Sequence, residues 1–266
     1  LLDLTEKEKE YVNNSECVLA FNKYLIFHDL VGINPTHYLL GDTTFKSDLM
    51  FEETLKKCVT SYREPIQFIL EKYYKERFEQ YSSNNQKSIK NICGDTFSAD
   101  RYSQIVKNSI YIERTDWLKG GEWARSLEDK IFHFRGSLSG AINICNILHP
   151  SYDIKLLGVD LNNHAYFFQS HIEANPEKWG IFLKRLTPEK KEHETIVSFQ
   201  GVGGIQEMFP FIIKRLSQSG SRLFCCNPES YLTKNNIVPY APVISSPALH
   251  EKASKKVRNL LFRILK

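Results

Sequence analysis

Short apolar runs recur along this chain, most of them closed by a polar turn and followed by a helix-length amphipathic stretch, and that alternation most constrains its fold. The runs at 17–19, 36–40, 153–159 and 222–226 read as strands. The stretches at 48–59, 65–81, 141–148 and 205–217 read as helices, while 89–130 has no clear period. Strands alternating with helices predict an α/β fold of the Rossmann-like kind, a parallel sheet with helices on both faces. Ligands of such sheets sit at the carboxyl ends of the strands. The polar clusters of this chain fall just after a strand or just before a helix, which points to a nucleotide site.

Composition narrows the class. With 266 residues, 42% hydrophobic and 25% charged, the chain has enough apolar content to fold as one domain, 1–266, rather than stay disordered. A net charge of +4 suits an anionic ligand and gives no support to nucleic-acid binding. Cys17, Cys58, Cys93, Cys145, Cys225 and Cys226 form no Cys-x-x-Cys pair, so free thiols and a cytoplasmic location are expected. The apolar stretches fall short of the ~20 residues that span a bilayer. The segment 173–201, with the charged run 189–194, reads as a lid. The tail 250–266 is basic and amphipathic; it reads either as a terminal helix docked on the body or as an anchor to anionic lipid.

The run RGSLSG at 135–140 carries the strongest chemical signal. Small residues admit close backbone approach, and hydroxyls with helix N-terminal amides can hold a phosphate; an ordinary helix start is the competing reading. Walker and dinucleotide glycine spacings are absent, which disfavours a Rossmann oxidoreductase. Gly158 and Asp160 close the 153–159 strand, where the carboxylate either orients a ribose or base or caps the turn. No Asp-x-Asp stands at a strand end and no histidine pair has metal-ligand spacing, so a donor with one phosphate and no metal cofactor is expected. His193 could deprotonate an acceptor hydroxyl, or be a solvated loop histidine.

Taken in order, these clusters resemble the bacterial sialyltransferases of glycosyltransferase family 42. CVLAFNKY at 17–24 is similar to that family's strand and nucleotide-binding asparagine, which falls on Asn22. THYLLGDTTF at 36–45 is similar to the next strand and its donor-contacting turn, with Gly41 and Asp42 in that turn. Arg135, Ser137, Ser139 and Gly140 fall on its Arg-x-x-Ser-Gly stretch, with Ser139 and Gly140 facing the nucleotide. LGVDLNNHAYFF at 157–168 resembles the segment that supplies two tyrosines to the leaving phosphate. Tyr166 matches the second, and Asn162 stands at the first. LFCCNP at 223–228 matches the late strand and its exit. The family opens with a strand and a Gly-x-Gly-Pro-Ser turn, and this sequence begins where that turn would end.

The resemblance implies a metal-independent, inverting transfer of sialic acid or a related acidic sugar from a CMP donor. The acceptor would be a glycan or glycolipid of bacterial lipopolysaccharide or capsule, reached from the inner face of the cell membrane with peripheral contact through 250–266. His193 would be the base, in place of the family's histidine before the last long helix. A CMP-Kdo transferase and a non-catalytic nucleotide- or glycan-binding module are the alternatives, and a homo-oligomer stays open.

Overall fold

The computed structural model describes residues 1–41, 53–54, 56–57, 66–76, 99–162, 166–183, 195–244 and 262–265. Thr5 opens helix α1 (Glu6–Asn13) with a reciprocal cap: its hydroxyl accepts from the Glu8 N–H, and the Glu8 carboxylate accepts from the Thr5 N–H at 2.9 Å. The chain then forms β1 (Cys17–Phe21), α2 (Tyr24–Phe27), β2 (His37–Leu40), β3 (Gln67–Glu71), α3 (Ala99–Asn108) and β4 (Ile110–Ile112). Next come α4 (Ser137–Leu148), β5 (Asp153–Leu157), α5 (Gln169–Glu173), α6 (Pro176–Leu183), α7 (Phe209–Gln218), β6 (Arg222–Cys225), α8 (Tyr231–Lys234) and β7 (Phe262–Leu265).

The described strands make one seven-stranded sheet in the order β4-β3-β2-β1-β7-β5-β6. Every pairing is parallel, with Leu19 opposite His37 between β1 and β2, and Leu156 opposite Cys225 between β5 and β6. Side chains alternate across it. On β1, Cys17, Leu19 and Phe21 join one core with Leu39, Ile69 and Ile112, while Val18 and Ala20 join the other with Tyr38, Leu40, Phe68 and Leu70. Helices α4 and α7 close the first core through Ala141, Ile142, Cys145, Phe209, Ile212 and Leu216. Tyr24–Phe27, Ile172 and Trp179 close the second. Cover on both faces is why β1 and most of β2, β3 and β5 are buried without a break. Each large apolar side chain taken out of water here contributes ~1.5–3 kcal/mol.

The α/β reading and the parallel sheet match this architecture, but several elements differ. The expected helix at 65–81 contains strand β3 instead. Phe68, Ile69 and Leu70 are all buried between β2 and β4, and a run that short has no helical period to express. The segment 173–201, expected as a lid, contains helix α6 near its start, docked because Trp179 lies 5.2 Å from the Phe27 ring and is 2% exposed. Residues 184–194, including His193, lie outside the described residues, so the lid stands described only at its two ends. The expected C-terminal helix 250–266 is corrected at 262–265, which form β7. Backbone pairing to β1 on one side and β5 on the other outweighs the helical spacing there; the rest of the tail lies outside the described residues. Among the described residues no helix is long and apolar enough to cross a membrane.

Strand order positions the site. The chain steps outward from β1 through β2 and β3 to β4, then returns across the sheet to place β5 and β6 on the other side. The order in which the chain adds strands reverses beyond β1, with β7 lying between β1 and β5, and sheets connected in this way leave a crevice at the carboxyl edge there.

Candidate functional site

A cleft of about 830 Å³ opens at that edge, with Asn22, Lys23, Gly41, Glu71, Arg114 and Ser137 in its wall. Its size suits a ligand of nucleotide-sugar dimensions.

Asn22 follows β1 in the left-handed region (φ 56°), a conformation asparagine tolerates better than most side chains. Its N–H donates to the Leu39 carbonyl at 3.0 Å, and the Tyr38 hydroxyl donates to its carbonyl. With its backbone so fixed, the Asn22 amide donates to Ser137 Oγ at 3.1 Å. Ser137 is the first residue of α4, whose N-terminus has no side-chain cap and enters the cleft beside Gly136. The amide-rich end of that helix favours an anion.

Arg135 precedes it, also left-handed (φ 54°) and 5% exposed. Its guanidinium lies 5.4 Å from the ring centres of both Trp117 and Phe199, and Nη2 donates to the Val197 carbonyl at 2.5 Å. On the β1 side, Lys23 Nζ lies 5.3 Å above the Tyr166 ring, which stacks on buried Phe168 with centres 5.0 Å apart.

The opposite wall is organised by Arg114, just beyond β4. Its Nε donates to the Glu71 carboxylate, Nη2 to the Gly41 carbonyl at 2.6 Å, and Nη1 to His133 Nε2 at 3.2 Å. A guanidinium only donates, so Nε2 is the accepting nitrogen. Burial and the neighbouring Arg114 charge push the His133 imidazole down to about 3. It is neutral near pH 7, and its Nε2 lone pair is committed. A Cβ at position 41 would lie 2.8 Å from Arg114 Nη1, so a larger residue there would press on the guanidinium that Glu71 and His133 hold. Asp116 completes this wall. Its Oδ1 accepts from the Leu118 and Lys119 N–H groups at 2.8 and 3.1 Å, which holds the carboxyl below the usual range.

The cleft thus brings together Asn22, Gly41, Arg135, Ser137 and Tyr166 from four separate stretches of sequence. Five other candidates stand elsewhere, Gly158 among them beside the rim rather than in it. Ser139 is fully buried: its Oγ accepts from the Phe134 N–H at 2.8 Å and reaches the Gly136 carbonyl at 3.1 Å, so it braces the 134–136 turn and does not face a ligand. Gly140 is buried in α4, where a Cβ would meet the Phe132 carbonyl at 3.4 Å. Asp160 accepts from Asn227 Nδ2 at 2.5 Å, and the Asn162 amide donates to the Glu229 carbonyl at 2.5 Å, so both join the β5 and β6 exits. Gly158 is covered by the Leu1 side chain, while its neighbours Val159 and Leu161 reach the cleft. Asp42 and His193 lie outside the described residues.

Glu71, Arg114, Asp116, Trp117, His133 and Phe199 are cleft residues that sequence reasoning missed. Glu71 ends a strand read as helix, and Arg114–Trp117 fall in the stretch without period, where β4 spans only three residues. Alternation in IYIERT was the faint signal. Among the described residues no group of three or more His, Cys, Asp and Glu is placed to hold a metal ion. No family model matches the chain, and neither a curated protein nor a solved structure does.

Proposed function

We propose that the chain is a Rossmann-like glycosyltransferase that moves an acidic sugar of the sialic-acid type from a CMP donor to a glycan hydroxyl. The observation that carries this reading is the Asn22–Ser137 hydrogen bond. It joins two candidate donor-binding residues, 115 positions apart, at the point of the sheet where a nucleotide is expected. The uncapped α4 N-terminus supplies amides for the phosphate, and Lys23 and Tyr166 stand beside it to stabilise the departing charge.

In the proposed reaction the acceptor hydroxyl oxygen forms a bond to the anomeric carbon as the bond to the CMP phosphate oxygen breaks. The hydroxyl proton goes to a base and CMP leaves with the electron pair. The resemblance puts His193 in the role of base. His133 cannot share it, because its accepting nitrogen is held by Arg114 and its basicity is low. Among the described cleft residues, Asp116 is the carboxylate without an ion pair.

Release of CMP from CMP-sialic acid tests the reading, with CMP-Kdo separating the related donor and UDP- and GDP-sugars as controls. Release from either CMP-sugar is expected, and His193→Ala should slow transfer by ~10²-fold or more while CMP still binds. Absence of both CMP release and a CMP-induced rise in melting temperature would overturn it. A second reading, a binding module without turnover, is favoured by the neutral, committed His133. It predicts CMP binding with no release.

A further inference from the structure

Trp117 and Phe199 stand at the mouth of the cleft, 42% and 44% exposed, with ring centres 5.5 Å apart. Exposed aromatic surface beside polar groups at a cleft is a common feature of ligand sites. Both rings are also rigidly mounted. Trp117 belongs to a turn closed by the Gly120 N–H on the Asp116 carbonyl at 2.8 Å, and its own carbonyl accepts from the Arg135 N–H at 2.8 Å. Phe199 sits in a two-residue turn in which Phe199 and Val202 exchange both backbone hydrogen bonds at 2.9 Å. Arg135 fills the space behind both rings, so the exposed surface is held towards the cleft mouth.

Next to this surface is Asp116. Among the described residues its Oδ1 takes both backbone bonds, and Oδ2 accepts none. An apolar aromatic surface beside an ionised carboxylate matches the two-sided chemistry of a pyranose. One ring face presents polarised C–H groups to the negative aromatic face, and the rim hydroxyls donate to the carboxylate. The same carboxylate repels an acidic sugar, so the charge selects a neutral one.

We infer that Trp117, Phe199 and Asp116 form a subsite for a neutral hexopyranose, the ring that would present the acceptor hydroxyl in the transfer proposed above. The inference rests on the transferase reading for the reaction, but not for the binding itself. Trp117 is the exposed tryptophan: Trp179 is buried, and Trp123 is half-buried against Phe132. Its emission therefore reports the subsite.

The test titrates the full chain with lactose, cellobiose and maltose, following tryptophan emission and saturation-transfer NMR, and separately with CMP. At least one disaccharide should give a saturable blue shift that Trp117→Phe abolishes, while NMR shows that the Phe variant still binds. Trp117→Ala should weaken binding about tenfold, and Asp116→Asn should weaken it less than Asp116→Ala. No saturable change with any of the three sugars, or undiminished binding in Trp117→Ala, overturns the subsite. Sugar binding without CMP binding would keep the subsite and sink the CMP-donor reading. CMP binding without sugar binding would do the reverse.

Discussion

Asn22 Nδ2 donates to Ser137 Oγ at 3.1 Å, so the end of the first strand and the start of α4 share one polar contact at the base of the cleft. Neither residue is free to drift. Asn22 is pinned through its backbone to Leu39 and Tyr38, and Ser137 is fixed by the helix it begins. Asn22→Ala removes the contact and one candidate ligand group together. CMP affinity should fall about tenfold, the worth of one well-made hydrogen bond. Isothermal titration with CMP measures it, and an unchanged affinity would place the nucleotide elsewhere.

Gly41→Ala tests the opposite wall. The added Cβ would meet Arg114 Nη1 at 2.8 Å, and Arg114 cannot retreat without loosening from Glu71, the Gly41 carbonyl and His133. Overpacking of this kind costs ~1–3 kcal/mol. At about 2–4 °C per kcal/mol for a chain of this size, the melting temperature should drop by several degrees. A melt equal to that of the unaltered protein would mean that the arginine moves aside freely.

Ser139→Ala should behave as a stability variant. It deprives the buried Phe134 N–H of its acceptor at 2.8 Å. Leaving such a donor unsatisfied costs ~1–3 kcal/mol, readable as a lower urea midpoint at unchanged slope. A loss of CMP affinity at unchanged stability would instead return Ser139 to the ligand.

The contrast between Ser137 and Ser139 shows what the sequence can and cannot say. RGSLSG marks a small, hydroxyl-rich helix start, and that start does lie at the cleft. The helix begins at Ser137, so Ser139, two residues on, points into the body of the protein. Strand β5 was legible because five residues of DIKLL stand together with a glycine exit. β4 was not, since a three-residue edge strand carries too few alternations to register, and Arg114, Asp116 and Trp117 were lost with it. β7 was missed for a different reason. FRIL looks helical in its basic, amphipathic setting, and only its two neighbours in the sheet make it a strand.

Two half-buried histidines contribute to the acid behaviour. Burial, with the nearby Arg114 charge, lowers His133 to about 3, and burial with His149 lowers His37 to about 4. Both fold in the neutral form, whereas in the unfolded chain they take up a proton below about 6.5. The unfolded state therefore binds more protons across roughly pH 3–6.5, and stability rises with pH through that window. Their contribution is fully present above about pH 6.5 and is lost as pH falls towards 4 and then 3. Urea midpoints taken at intervals from pH 7 to pH 4 should decline throughout. His133→Gln, which cannot titrate and keeps an acceptor for Arg114, should decline less steeply. An equal slope in this variant would assign the acid sensitivity to other groups and remove the argument that His133 is held neutral at the cleft wall.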